Sequence, residues 1–226
     1  MDRAILEFAK LTLTEEDVKD KSVIEIGSLD VNGSVRPIVE ELSPGRYIGV
    51  DIQMGPGVDE ICDVYEILEK YGQNKFDLLI ATELIEHIRD WRKAVRNFKH
   101  ILTTNGVLFI TTRSEGFVYH GYPSDYWRFE LSDMETIFSD FIIESLEKDS
   151  MLPGVMMKAR KPESFSENNL QQHLLYSIVT STKIRNIAKA DIFWFKIRYR
   201  IGPILSKVLP LSIKRILKRY YSNSIR

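Results

Sequence analysis

Residues 22–51 read SVIEIGSLDVNGSVRPIVEELSPGRYIGVD, and this stretch decides the fold. An apolar run over 23–26 ends at Gly27, and a polar turn and a helical segment follow. A second apolar run over 47–50 ends in Asp51. This order predicts a β-α-β unit in which strand ends meet a helix N-terminus. An acid at that edge can accept hydrogen bonds from both hydroxyls of a ribose, so the unit indicates a nucleoside-bearing ligand.

The spacing of the glycines narrows the choice of ligand. Gly27 and Gly33 are six residues apart, and position 29 between them is Leu. This spacing does not fit the G-x-G-x-x-G turn of dinucleotide-binding proteins. A nicotinamide-dependent oxidoreductase is therefore the less favoured alternative. The turn resembles the first motif of class I S-adenosylmethionine-dependent methyltransferases of the type 11-like group, acid-x-Gly-x-Gly-x-Gly. Glu25 and Gly27 match its first two fixed positions, Leu29 and Val31 replace the later glycines, and Gly33 lies two residues downstream.

Further segments follow in the order of that family over residues 20–161. The resemblance implies that Asp63 and Val64 contact the adenine, and that Glu25 organises the turn and the methionine amino end. The segment TELIEHI, residues 82–88, is similar to the stretch that follows the family's fourth strand. The cofactor would be S-adenosyl-L-methionine, and its implied binding residues are Glu25, Gly27, Ser28, Gly33, Asp51, Ile52, Asp63, Val64 and Thr82.

The alternation of strands and helices predicts an α/β fold with a mostly parallel, Rossmann-like sheet and helices on both faces. Seven strands are predicted at 22–26, 46–50, 58–62, 76–81, 107–112, 141–146 and 155–159. Helices are predicted at 2–10, 33–42, 64–71, 90–101 and 132–138, with a short one opening at Thr14. By resemblance to the family, the last two strands form an antiparallel hairpin.

Two segments are predicted to lie on the acceptor side of the cofactor. One is 83–87, and the other is the aromatic loop FVYHGYPSDYWRF, residues 117–129. Loops of this composition more often bind a ligand than merely connect two elements. The predicted substrate-binding residues are Glu83, Tyr119, Tyr122, Asp125, Trp127 and Arg128. The alternatives are a lid that packs its own aromatic rings and an Asp125–Arg128 pair without a further role.

An oxygen acceptor would need a base near neutral pH, and His87 and His120 are the candidates. A structural role, for example at the start of a helix, is the alternative for His87. Glu86-His87 and Arg89-Asp90 do not have the spacing of a recognised metal site, so no metal is assigned.

The charge distribution divides the chain near residue 162. Residues 183–226 contain twelve Lys and Arg and one acid, a net charge of +11, against −12 for residues 1–182. We therefore predict a methyltransferase domain over 1–161, a polar linker over 162–182 and a basic amphipathic helical tail over 183–226. In the tail, Gly202-Pro203 and Pro210 are expected to break the helix into short pieces. An apolar stripe is formed by Ile213, Ile216, Leu217 and Tyr220.

The basic, aromatic tail favours an anionic membrane surface as a partner. Packing against the acidic domain or a second subunit is the alternative, and the oligomeric state is open. Nucleic acid is disfavoured because no RNA-binding motif occurs. The single cysteine, Cys62, excludes an intrachain disulfide and favours a reducing, cytoplasmic setting. We expect no signal peptide and no membrane span, so attachment would be peripheral, at the inner membrane face.

These observations predict a methyltransferase that acts on an oxygen, nitrogen or carbon of a small molecule, a lipid-linked intermediate or a glycan. The alternative is a non-catalytic domain of the same fold that docks to a membrane or a partner through its tail. The broken glycine motif keeps this alternative open, whereas the acids Asp51 and Asp63 argue against it.

Overall fold

A computed structural model describes residues 2–121 and 123–208, with the backbone alone over 201–208. A sheet of seven strands forms its centre. The strands are β1 (Ser22–Ile26), β2 (Arg46–Asp51), β3 (Glu60–Ile61), β4 (Phe76–Thr82), β5 (Leu102–Arg113), β7 (Ile142–Lys148) and β8 (Gly154–Arg160), and a separate short strand, β6 (Trp127–Arg128), precedes β7. Their order across the sheet is β3-β2-β1-β4-β5-β8-β7.

The strand directions confirm the predicted α/β architecture. β1, β2, β3, β4 and β5 pair in parallel, whereas β8 pairs antiparallel with both β5 and β7. The carboxyl ends of β1, β2, β3 and β4 therefore meet at one edge of the sheet. The late strands form the antiparallel hairpin that the resemblance implied.

Helices cover both faces of this sheet. They are α1 (Arg3–Thr12), α2 (Glu15–Val18), α3 (Arg36–Glu41), α4 (Ile67–Tyr71), α5 (Trp91–Ile101) and α6 (Leu131–Ile137). Consecutive residues of β1 point to opposite faces, so Val23 packs with α1 and α3 while Ile24 packs with α4 and α5. Burial on both faces explains why β1 and β4 are nearly continuous apolar runs in the sequence.

Residues 162–182 do not form the predicted linker. They run along α5 and α6 and add two strands, β9 (Leu175–Ser177) and β10 (Thr182–Ile184), to β6 in a second, antiparallel sheet. The Arg92 side chain donates hydrogen bonds to the backbone carbonyls of Leu170 and His173. The segment was misread because its scattered apolar residues, among them Leu170, Leu175 and Val179, pack on the core between polar neighbours.

In the predicted tail, Lys183 and Ile184 end β10. Helix α7 (Lys189–Val208) follows and continues across Gly202-Pro203 instead of breaking there. A proline inside a helix removes one backbone hydrogen bond and strains the preceding turn, but the bonds on either side remain. The Tyr119 ring packs against Phe195 and Tyr199 of this helix, with centroids 5.0 and 4.8 Å apart. Within the part of the chain described, no helix has the length and apolar character needed to cross a membrane. The apolar stripe predicted for the tail, together with Pro210, lies outside the described residues.

Candidate functional site

A cavity of about 740 Å³ opens at the carboxyl ends of β1, β2 and β4. Parallel strands bring these ends together, so residues far apart in the sequence share one wall. All nine residues that the resemblance implied for cofactor binding line this cavity: Glu25, Gly27, Ser28, Gly33, Asp51, Ile52, Asp63, Val64 and Thr82. The structure thus brings the whole predicted cofactor set together.

The turn after β1 depends on glycine at both ends. Gly27 has a φ of +78°, and a Cβ added there would lie 2.9 Å from Cδ1 of Leu84. Its N–H donates to the Val50 carbonyl at 2.8 Å, which anchors the turn on β2. Gly33 has a φ of +112°, and its N–H donates to the Asp30 carboxylate at 2.7 Å. Gly33, which lies two residues downstream of the family's third glycine, is therefore held in place within a turn that is longer than the family's.

Two carboxylates project from strand ends into the cavity wall. The Asp51 carboxylate accepts hydrogen bonds from the backbone N–H groups of Leu29 at 3.4 Å and Gln53 at 3.0 Å. The Asp63 carboxylate accepts one from the N–H of Tyr65 at 2.9 Å. A carboxylate has about four acceptor positions, so each acid can accept further hydrogen bonds from a ligand.

Glu25 is a buried carboxyl beneath the turn. The Tyr47 hydroxyl donates a hydrogen bond to its Oε2 at 2.6 Å. Burial raises the pKa of Glu25, and the nearby charges of Asp30 and Asp59 raise it further, whereas Tyr47 and Arg36 lower it. The net result is a pKa of about 7. The group can therefore carry either a proton or a negative charge near neutral pH, depending on what lies beside it.

Glu83, His87 and His120 also line the cavity, and they belong to the two segments predicted to face the acceptor. The imidazole rings of His87 and His120 are 4.7 Å apart between centroids. Nδ1 of His87 donates to the Ser124 carbonyl at 2.5 Å, and Nδ1 of His120 lies 2.9 Å from the Asp125 carboxylate. The 3-10 turn at Ile85–His87 and the aromatic loop thus supply the two imidazoles from separate parts of the chain.

The charges around His120 decide its proton affinity. Burial lowers the pKa of His120, but the Asp125 and Glu86 carboxylates outweigh this and raise it to about 9. The same contacts, with the Arg128 guanidinium, hold the pKa of Asp125 far below its ordinary value despite its burial. His120 therefore keeps its proton at neutral pH in this arrangement, contrary to the predicted role of a base.

Three residues predicted to bind the substrate lie in the interior instead. Trp127 is fully buried, and its indole N–H donates to the carbonyls of Ile88 and Arg89 at 3.1 Å. Asp125 and Arg128 form a buried, two-bonded ion pair at 2.6 and 2.8 Å. None of the three lines the cavity, because the loop turns them inward to satisfy its own polar groups.

The structure describes one of the two tyrosines predicted for the same role. Tyr119 packs against α7, away from the cavity, and Tyr122 is outside the described residues. The structure therefore supports the alternative of a loop that packs many of its own side chains, and the loop residues that line the cavity are Phe117, His120, Pro123 and Tyr126.

Arg113 is a cavity residue that the sequence analysis missed. It ends β5 and forms ion pairs with Glu83, Asp2 and Asp149, and its guanidinium lies 4.4 Å from the centre of the Phe117 ring. Burial and the neighbouring Glu86 charge raise the pKa of Glu83, against the attraction of Arg113. The position of Arg113 directly after the predicted strand 107–112 was a usable signal, whereas nothing local marked Asp2.

Comparison with known proteins gives the family. The model of a family described as "Methyltransferase domain" matches residues 1–187. The chain therefore belongs to the methyltransferase domain family, whose methyl donor is S-adenosylmethionine. The match extends past residue 161, consistent with the second sheet being part of the domain. Among curated protein sequences, none matches this chain.

Solved structures share the fold. An S-adenosylmethionine-dependent methyltransferase from Mesorhizobium loti superimposes with a TM-score of 0.57 at 14% identity, over 70% of this chain and 98% of that one. The 1,6-didemethyltoxoflavin-N1-methyltransferase of Burkholderia thailandensis, solved with its substrate and S-adenosylhomocysteine, gives 0.58 at 16% identity, over 72% and 80%. The [4+2]-cyclase SpnF gives 0.55 at 14% identity, over 70% and 80%.

The cavity residues fit S-adenosylmethionine in size and chemistry. Ser28 has a buried hydroxyl without a hydrogen-bond partner among the described residues, at the turn where a ligand would pass. Glu25 provides a carboxyl for an ammonium group, and Asp51 and Asp63 provide acceptors for hydroxyl and amino groups. The cavity of about 740 Å³ lies within the ordinary range for pockets that hold molecules of this size.

Proposed function

We propose that this protein transfers the methyl group of S-adenosylmethionine to an oxygen of a hydroxylated acceptor, which is a small molecule, a glycan or a lipid-linked intermediate. The observation that carries the proposal is the shared cavity, which is lined both by the nine predicted cofactor residues and by His87, His120 and Glu83. When bound, S-adenosylmethionine supplies a methyl group that its sulfonium has already activated. The protein's task is then mainly to hold and align the acceptor.

The roles of the residues follow from their positions. Asp51 holds the ribose hydroxyls, Asp63 and the backbone at Val64 hold the adenine, and Glu25 faces the methionine amino group. His87 and His120 contact the reacting oxygen of the acceptor. Phe117, Tyr126 and Leu152 line the cavity as well. Such a mixed wall suits an acceptor with both an apolar surface and hydroxyl groups.

The acceptor can be found with labelled cofactor. The protein would be incubated with S-adenosylmethionine carrying a labelled methyl group and with cell extract separated into metabolites, glycans and lipids. We expect label in one fraction, loss of that label with His87→Ala, and retention with His100→Ala. His100 is the matched control because it pairs with Glu167 and does not line the cavity. Cofactor binding without label in any fraction would favour the non-catalytic alternative.

We also propose that α7 attaches the protein to an anionic membrane. Phe193 and Trp194 are 59% and 65% exposed, and the exposed cations Lys196 and Arg200 lie on the same helix. An exposed aromatic pair beside basic residues is typical of helices that lie in the membrane interface. Arg198 donates a hydrogen bond to the Val179 carbonyl at 3.0 Å, which ties the helix to the domain.

Vesicle flotation tests this attachment. Because β10 pairs with β9, deletion from residue 183 would remove part of a sheet, so point variants are the better test. We expect the Phe193→Ser/Trp194→Ser double variant to lose binding to phosphatidylglycerol vesicles, while neutral phosphatidylcholine vesicles bind neither protein. Leu11→Ser, which removes an apolar side chain 82% exposed on α1, is the matched control. Equal binding of the double variant and the control would overturn the proposal.

A further inference from the structure

Glu86, His87 and His120 form a cluster at the acceptor side of the cavity. Their ligand atoms all lie within 4.8 Å of one another. We propose that these three side chains bind one divalent transition-metal ion. Glu83 is outside this set because its carboxylate is ion-paired with Arg113.

The Glu86 carboxylate is the observation that points to a cation. Its side chain is fully buried, and its Oε2 accepts a hydrogen bond from the Thr112 hydroxyl at 3.0 Å. Its Oε1 has no hydrogen-bond partner among the described residues and lies 3.8 Å from Nε2 of His120. A buried carboxylate oxygen without a partner costs free energy, and a bound cation would remove that cost.

The two imidazoles are oriented as metal ligands are. The Ser124 carbonyl can only accept a hydrogen bond, so it holds a proton on Nδ1 of His87 and leaves the lone pair on Nε2. The Asp125 carboxylate lies 2.9 Å from Nδ1 of His120, and Arg128 fixes Asp125 in turn. His120 keeps its proton in the metal-free protein, so the bound ion would displace the proton from Nε2. A carbonyl or carboxylate on the far nitrogen of each ligating histidine is the usual arrangement in metal sites, because it sets the tautomer and the ring orientation.

The donor set selects the class of ion. Two imidazole nitrogens and one carboxylate oxygen suit Mn²⁺, Fe²⁺, Co²⁺, Ni²⁺ or Zn²⁺ rather than Mg²⁺ or Ca²⁺, which prefer oxygen donors. Bond lengths of about 2.0–2.2 Å require the ligand atoms to approach one another to roughly 3 Å. His87 and His120 both line the cavity, so the remaining coordination positions face the acceptor.

The role of the ion rests on the proposed methyl transfer. A hydroxyl of the acceptor bound to the ion ionises more readily, and its proton leaves to solvent. The oxygen lone pair then forms the new O–C bond with the methyl group, while the C–S bond breaks and its electron pair returns to sulfur. The substrate class is thus a hydroxylated acceptor whose oxygen can coordinate a metal.

Binding of Mn²⁺ tests the site without any acceptor. Chelator-treated protein would be titrated with MnCl₂ while the free ion is followed by electron paramagnetic resonance. We expect one bound equivalent in the wild type and in His100→Ala, and at least about tenfold weaker binding in Glu86→Gln and His120→Ala. Glu86→Gln keeps the shape and the contact with Thr112, so it is the variant best able to fold. Equal binding by all four proteins, or by none, would overturn the proposal.

Pulsed electron paramagnetic resonance of the Mn²⁺-loaded wild type gives a second test that needs no variant. Coupling to two imidazole nitrogens is expected, and its absence would overturn the ligand set. Calorimetry with S-adenosylmethionine on the same samples separates the two proposals. Mn²⁺ binding without cofactor binding would contradict the proposed function alone, and the reverse would contradict the metal site alone.

Discussion

The two sides of the cavity are built in different ways. The cofactor side comes mostly from one stretch, residues 25–64, in which strand-end carboxylates accept hydrogen bonds from backbone two residues away, as Asp51 does from Gln53 and Asp63 from Tyr65. The acceptor side joins separate segments through side-chain bonds, such as Thr112 to Glu86 and His87 to the Ser124 carbonyl. We therefore expect changes on the cofactor side to alter ligand binding first. Changes on the acceptor side should alter folding stability first.

The largest expected effect on cofactor binding is that of Gly27→Ala. The new Cβ would lie 2.9 Å from Leu84 Cδ1, at a φ of +78° that L-residues seldom adopt. We expect affinity for S-adenosylmethionine, measured by calorimetry, to fall at least about a hundredfold as the turn shifts. Gly72→Ala is the matched control, because its φ is +83° but its Cβ would meet only the flexible Lys75 side chain, outside the cavity. If Gly27→Ala bound S-adenosylmethionine as tightly as the wild type, the expectation that changes on the cofactor side alter ligand binding first would be wrong.

Arg128→Met should affect stability rather than cofactor binding. The change leaves the buried Asp125 carboxylate without its main partner and frees the carbonyls of Phe117 and Val118. We expect the free energy of unfolding, measured with urea, to fall by roughly 3–5 kcal/mol. Arg96→Met, at an exposed arginine, should change it by less than about 0.5 kcal/mol. An Arg128 variant of unchanged stability would restore its predicted role as a substrate contact.

Glu25→Gln is an exception on the cofactor side, because its carboxyl group is buried. The change should alter the free energy of unfolding in a way that depends on pH. The pKa of Glu25 is about 7 in the folded protein against an ordinary 4.5, so the folded state favours the protonated form. This contribution to stability is complete below about pH 4.5 and is lost as the pH rises through 7. Gln resembles the protonated form and keeps a partner for Tyr47. We therefore expect the variant to gain up to roughly 3 kcal/mol over the wild type at pH 8 and almost nothing near pH 4.5.

The controls for this prediction use the same urea experiment. Glu16→Gln, at an exposed position of α2, should follow the wild type at both pH values. A Glu25→Gln variant that is less stable than the wild type at pH 8 would mean that the charged carboxylate stabilises the fold, contrary to the account.

The same contrast explains what the sequence could predict. The strands, the turn after β1 and the acid that ends β2 follow local rules, since each is marked by neighbouring residues, and the resemblance to the methyltransferase family implied the full set of nine cofactor residues. Gly27, Asp51 and Asp63 were therefore found from the sequence. Their assembly in one cavity follows from the parallel strands alone.

The acceptor side and the second sheet follow no local rule. Whether Trp127 and Arg128 face a ligand or the core depends on their pairing with β9, far along the chain. The segment 162–182 looked like a linker because its apolar residues have no regular period, yet they pack on α5 and α6. His120 belongs to the aromatic loop, so its position beside Glu86 and His87 depends on how that loop folds back on the domain. The sequence alone did not show this.

The central claim is that the cavity binds S-adenosylmethionine through the strand-end acids. Calorimetric titration with S-adenosylmethionine, S-adenosylhomocysteine and NAD tests it most directly, on the wild type, Asp51→Ala and the exposed control Glu69→Ala. The account predicts micromolar binding of the first two ligands by the wild type and the control, at least about tenfold weaker binding by Asp51→Ala, and no binding of NAD. Binding of NAD in place of the other two, or equal affinity in Asp51→Ala, would contradict it.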